Sequence, residues 1–167
     1  MTLDISVPLI SFIYLPIYNN LIYFNIISTN SNYNTNEVIM LVTGIDIIEI
    51  DRIKLVFDKY GDRFLNRIYT VKEREYCRGR ASQLASRFAA KEATMKALGT
   101  GVRGVGWKDI EILRQKGMAP YIKLHGRAIQ RAEKMGLSDL ALSLSHSKEF
   151  AIASVIGDSQ KGNLIPR

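Results

Sequence analysis

The sequence predicts an α+β fold: an antiparallel sheet of about five strands with helices packed on one face. Three observations lead there. Apolar β-branched runs of strand length alternate with helical-period segments in the order strand, helices, two strands, helix, two strands. One segment carries alanine at every fourth position, Ala81, Ala85, Ala89, Ala93 and Ala97, a small-residue stripe that lets a helix lie close against another element. The last two runs alternate apolar and polar residues about a short polar turn, as an antiparallel hairpin does. With 167 residues, 47% hydrophobic and 23% charged, the chain has the make-up of one globular domain with a real core, which excludes disordered and fibrous classes.

Leu41 to Ile50 is apolar and β-branched, as a buried strand should be, yet it contains Asp46 and Glu49. Residues 51 to 67 set Ile53, Val56, Phe57, Phe64 and Leu65 among Arg52, Lys54, Lys59, Arg63 and Arg67, an amphipathic helical segment broken near Gly61. Thr70-Val-Lys-Glu73 is a capping box that opens a short helix to about Cys77. Ser82 to Leu98 is the strongest helix signal, and Gly99 to Gly106 ends it in a glycine-rich loop. Asp109 to Leu113 and Tyr121 to Leu124 read as strands around the Lys116 to Pro120 turn. Gly126 to Met135 is a helix stopped by Gly136. Leu140 to Ser145 and Phe150 to Ile156 form the final hairpin, with His146, Ser147 and Lys148 at its turn.

Residues 1–39 are compositionally distinct, rich in Ile, Tyr and Asn and holding no Lys or Arg. Their apolar stretch from Val7 to Ile27 lacks the basic flank of a signal peptide, and Pro16 and Asn19-Asn20 interrupt it as a membrane helix. Ser28 to Asn36 reads as unstructured linker, and Met40 resembles a natural start. The expected organisation is therefore a disordered or misassigned extension over 1–39, a domain over 40–160 and a tail over 161–167. A membrane-associating N-terminus is the competing reading. With no targeting signal or span recognised, a cytoplasmic place is expected.

All 23 basic residues follow Ile39, and the net charge is +7, a surplus that favours a polyanionic partner. One cysteine and two histidines cannot assemble a Cys/His zinc cage, so a metal would be held by carboxylate oxygens. Three places put polar chemistry where packing does not ask for it. Asp46 lies in an apolar strand beside Gly44, so it must be paired, at a strand end or bound to a cation. Glu92 and Lys96, one helical turn apart, are either a surface ion pair or part of a site beside the alanine stripe. His146 ends a strand, where a histidine is either incidental or functional.

Taken together these places resemble the small holo-[acyl-carrier-protein] synthases, which are 4′-phosphopantetheinyl transferases. Gly44-Ile-Asp46-Ile-Ile-Glu-Ile-Asp-Arg52 is similar to the family's N-terminal Gly-x-Asp motif, Arg87-Phe-Ala-Ala-Lys91-Glu92-Ala-Thr-Met-Lys96 to its central Lys-Glu-x-x-x-Lys motif, and Ser143-Leu-Ser145-His146 to its C-terminal element. The resemblance runs from Met40 to about Ile156. It implies transfer of phosphopantetheine from coenzyme A to a serine of an apo acyl carrier protein, a step of fatty acid synthesis. It also implies Mg²⁺ shared by Asp46 and Glu92, a phosphate-neutralising Lys96, and coenzyme A contacts from Arg87 and His146. The Gly99 to Gly104 loop would lie near the nucleotide, Arg52 would contact the carrier, and the assembly would be a homotrimer with sites between subunits.

The chemistry agrees, because a hard cation takes one or two carboxylates plus phosphate oxygens. Glu92, Asp46 and a metal-bound water all remain open as the general base. Acyl carrier proteins are acidic, so Arg52, Lys54, Lys59 and Arg63 suit a docking face, unless they are only the solvated side of a helix. The alternative suggested by charge alone is a basic nucleic-acid-binding module. It lacks a stacking-aromatic or helix-turn-helix signature, and Asp46 and Glu92 would repel phosphate without a cation, so no nucleic acid and no membrane is expected as partner. A two-metal phosphohydrolase would need a further acidic cluster.

Overall fold

The computed structural model describes the backbone of residues 12–14, 21–26 and 38–159, and side chains over 41–159. β3 (Val38–Glu49) runs directly into α1 (Ile50–Ile68), which kinks at Gly61, where φ is 48° and ψ −129°. α2 (Val71–Cys77) and α3 (Ala81–Ala97) follow, then a single helical turn α4 (Gly101–Gly104) and a 3-10 turn at Trp107–Asp109. The chain continues through β4 (Ile110–Arg114), β5 (Pro120–Leu124), α5 (Gly126–Met135), β6 (Leu137–His146) and β7 (Phe150–Ser159). The order and the α+β class are those read from the sequence. Where a flexible loop was expected after α3, Gly99 and Gly101 take positive φ and α4 forms between Gly101 and Gly104.

The five strands of the domain do not make one sheet. β3, β7 and β6 pair antiparallel in that order, while β4 and β5 form a separate two-stranded sheet. Two strands before Met40 complete a five-stranded sheet: β1 (Phe12–Tyr14) pairs with β2 (Leu21–Ile26), which pairs with β3 from Leu21↔Val42 to Asn25↔Val38. The segment expected to be without structure thus adds two strands, and the expected boundary at 40 falls inside β3. The physical reason is local: Phe12-Ile-Tyr14 and Leu21 to Ile26 are aromatic and β-branched, and β3 offers them an edge. The linker reading of Ser28 to Asn36 and the tail 161–167 lie outside the described residues. Among those described, no helix is long and apolar enough to cross a membrane.

α3 is the axis of the core. It is buried almost all round, with Leu84, Ala85, Ala89, Ala90 and Ala93 fully enclosed, and it lies on one face of β3, β7 and β6 against Val42, Ile48, Ala151, Ala153 and Val155. The alanine stripe and Gly44 permit this closeness. A Cβ on Gly44 would stand 1.9 Å from the Ala93 carbonyl oxygen and 2.8 Å from the Ala97 nitrogen, so strand and helix touch backbone to backbone. Among the described residues no helix covers the other sheet face, and Ile45, Ile47, Ile152, Ile156 and Phe150 are exposed.

Candidate active site

Alternation along β3 sends Val42, Gly44 and Ile48 toward α3, and Asp46 shares their parity at the end where the strand gives way to α1. The close approach of α3 at Gly44 then sets Lys96 against it. The Lys96 Nζ donates to Asp46 Oδ1 at 2.9 Å and to the Ile45 carbonyl at 2.8 Å. The sequence left open a surface pair between Glu92 and Lys96; in the structure Lys96 reaches across to the strand. Glu92, one turn earlier, is half-buried. Its carboxyl is pushed above the usual range first by burial and then by the charge of Asp46, against the pull of Lys96 and Arg52. Arg52 enters from the first turn of α1. A cleft of about 300 Å³ runs between Asp46, Arg52 and Glu92 at one side and Ile53, Val56, Phe64 and Phe88 at the other.

This is a pair of carboxylates, one strongly shielded, with two cations beside them and an apolar wall. A carboxyl held up by burial and a neighbouring carboxylate is relieved by a cation between the two, and two carboxylates with open positions suit a Mg²⁺ that also takes phosphate oxygens. Among the described residues no group of three or more metal-ligating side chains gathers, so a dedicated protein cage is not present.

Arg87 and His146 stand elsewhere. Five residues before Glu92, Arg87 is turned about 140° round the helix and faces α2. It is buried, with its guanidinium 4.1 Å above the Tyr76 ring and Nη1 donating to Gln83 Oε1 at 2.8 Å. His146 is the last residue of β6 rather than part of the turn. It pairs with Ala151, which pairs with Ile48, so two strand spacings, roughly 10 Å, separate it from β3. The structure therefore brings Asp46, Glu92 and Arg52 together in the cleft with Lys96 bonded to Asp46, and leaves Arg87 and His146 outside it.

Sequence reasoning missed one feature beside the site. Lys91 and Glu73 form a wholly buried ion pair at 2.9 Å. Glu73 is the capping residue of α2, accepting from the Thr70 N–H at 2.8 Å, and its other oxygen accepts from the Ile112 N–H at 3.0 Å. The capping box was legible, but its carboxylate's second duty depended on an element almost forty residues away.

A family model, the 4′-phosphopantetheinyl transferase superfamily, matches residues 43–155, and the chain belongs to that superfamily. Within it, the chain is similar to the holo-[acyl-carrier-protein] synthase of Koribacter versatilis, 50% identical over 121 residues that cover 70% of this chain and 97% of the relative. It is likewise similar to that of Herpetosiphon aurantiacus, 46% identical over 125 residues, 71% and 98% of the two chains. The crystal structure of the Helicobacter pylori enzyme in complex with coenzyme A superposes with a TM-score of 0.63 at 34% identity, over 69% of this chain and 98% of that one.

Proposed function

We propose that this protein transfers the 4′-phosphopantetheine group from coenzyme A to a serine hydroxyl of an apo acyl carrier protein, releasing adenosine 3′,5′-bisphosphate, in the service of fatty acid synthesis. The observation that carries the reading is the meeting of Asp46 and Glu92 in one cleft, with Lys96 bonded to Asp46 from 50 residues away in sequence. The similar synthases and the coenzyme A complex of one of them support it.

The chemistry asks for charge neutralisation on an anionic diphosphate and for a nucleophile held in line. Asp46 and Glu92 would hold Mg²⁺, which when bound offsets diphosphate charge. Lys96, tethered to Asp46 and half-exposed toward solvent, is placed to give an ammonium to a diphosphate oxygen and to steady charge on the leaving group. The apolar side chains of Ile53, Val56, Phe64 and Phe88 in the cleft would limit water beside a bound diphosphate. Arg52, Lys59 and Arg63 lie exposed on α1 and are the basic residues offered to an acidic carrier, with Arg52 at the rim of the cleft, while Lys54 points to the other side of the helix and pairs with Asp58.

A homotrimer accounts for the bare sheet face. Ile45, Ile47, Ile152 and Ile156 on adjacent strands form an apolar surface that a second copy would cover, with Ile47 directly opposite Ile152. In such an assembly His146, exposed at the end of β6, would serve a neighbouring protomer's coenzyme A, whereas Arg87 is enclosed between α3 and α2. A family match that begins at 43 supports a transferase domain over residues 40–160, with β3 entering it from Val38. The reading is tested by mixing the protein with coenzyme A, apo carrier and Mg²⁺ and separating nucleotides by chromatography. Adenosine 3′,5′-bisphosphate should appear only when the carrier is present and vanish on chelation of the metal. Release without carrier would make the protein a hydrolase instead.

A further inference from the structure

We infer that Lys91 and Glu73 are positioning residues: a buried charge pair that fixes the rotation of α3 and thereby aims Glu92 at Asp46. The inference rests on the reading of that carboxylate pair as the holder of Mg²⁺ with coenzyme A. Lys91 is wholly buried, and its ammonium spends every proton. It meets Glu73 Oε2 at 2.9 Å, the Trp107 carbonyl at 2.9 Å and the Ile110 carbonyl. Glu73 in turn gathers the α2 N-terminus through Thr70 and β4 through Ile112. One pair thus ties α3 to α2, to the 107–110 turn and to β4, on the side of the helix away from the sheet.

Lys91 and Glu92 are sequence neighbours and so point about 100° apart around the helix. Lys91 grips the α2–β4 side while Glu92 enters the cleft. Gly44 against Ala93 sets how near α3 lies to the strand, and Lys91 is the second fixed point that stops the helix turning about that contact. With side chains reaching roughly 5–6 Å from the axis, a turn of about 15° would swing the Glu92 carboxylate by roughly 1.5 Å. That exceeds the roughly 0.5 Å within which a functional constellation must be held. The same turn would unstack Phe88, which lines the cleft, from Trp107, whose ring it meets at 4.8 Å and 29°. A buried pair is otherwise a poor way to stabilise a fold, because desolvation offsets the attraction and apolar isosteres do as well.

The test compares wild type, Lys91→Met and the double variant Lys91→Met with Glu73→Gln, all as full chains. The single variant strands a buried carboxylate and is expected to unfold at lower temperature; the double variant removes both charges and should regain most of that loss and the wild-type circular dichroism. Coenzyme A binding is then followed calorimetrically as Mg²⁺ is raised, alongside turnover. The double variant should need at least fivefold more Mg²⁺ for half-maximal coenzyme A binding and lose at least tenfold in kcat, while KM for the carrier stays within twofold, because the α1 face is untouched. A folded double variant with wild-type Mg²⁺ dependence overturns the inference, and so does a double variant that cannot fold, since the pair would then be a structural requirement. Should wild type bind coenzyme A with Mg²⁺ yet transfer nothing, the transferase reading fails while the binding comparison still decides this one.

Discussion

Gly44→Ala places a single methyl where β3 and α3 touch. The new Cβ would sit 1.9 Å from the Ala93 carbonyl oxygen, with the Ala93 carbon at 2.9 Å and the Ala97 nitrogen at 2.8 Å. These are backbone atoms of a helix, so no rotamer change makes room, and α3 must back away by about 1.5 Å to restore ordinary contact. Overpacking of a core costs about 1–3 kcal/mol, and with a backbone obstacle the upper end applies. At about 3 kcal/mol, and roughly 2–4 °C per kcal/mol for a chain of this size, the midpoint should fall by about 6–12 °C in a calorimetric scan. The same displacement carries Lys96 beyond reach of Asp46 and Ile45, which it now meets at 2.9 and 2.8 Å. Turnover measured well below the new midpoint should fall by about 100-fold, the usual penalty for misplacing a site by an ångström. A variant that melts within 2 °C of wild type and turns over normally would refute both the close contact and its link to the site.

Other expectations follow from the same geometry. Glu92→Gln should keep the fold and lose most turnover, with added Mg²⁺ rescuing it poorly; near-normal kinetics with unchanged metal dependence would make Glu92 a surface residue. Because folding raises the Glu92 carboxyl above its usual range, its ionised form is disfavoured in the metal-free protein. Its contribution to stability is therefore favourable in acid and lost as pH rises, so Glu92→Gln should raise the metal-free melting temperature at neutral pH but not in acid. For the same reason Mg²⁺ binding should weaken on acidification at a pH above that of an ordinary carboxylate. Arg52→Glu should raise KM for the carrier more than tenfold with little change for coenzyme A, and equal effects on both would argue against docking through α1. A chain starting at Met40 should keep turnover and oligomeric state, since β2 reaches β3 only as far as Val42, short of Asp46; aggregation or inactivity would show that β1 and β2 are required.

The neighbourhood of Asp46, Glu92 and Lys96 was legible in the sequence because each breaks a local rule: a carboxylate in an apolar strand, and a Glu and Lys beside an alanine stripe. The kink at Gly61, the capping box at Thr70 and the order of elements were readable for the same local reason. What escaped depends on distant partners. No local pattern says that Lys96 prefers Asp46 to Glu92, that Lys91 is buried on Glu73, or that Arg87 stacks on Tyr76 instead of facing the cleft. The division of the domain strands into three and two was equally hidden, because strand pairing depends on which edges remain open once helices are placed. The strands before Met40 escape a local reading because an uncharged apolar run suits a membrane or disordered segment as well as it suits a partner for the β3 edge.

The most direct measurement is intact-mass spectrometry of a purified apo acyl carrier protein before and after incubation with this protein, coenzyme A and Mg²⁺. The whole carrier population should shift by one phosphopantetheine group, and the shift should be abolished when the acceptor serine is replaced by alanine. A carrier mass unchanged after prolonged incubation with folded protein, under conditions where a known synthase converts it fully, would contradict it.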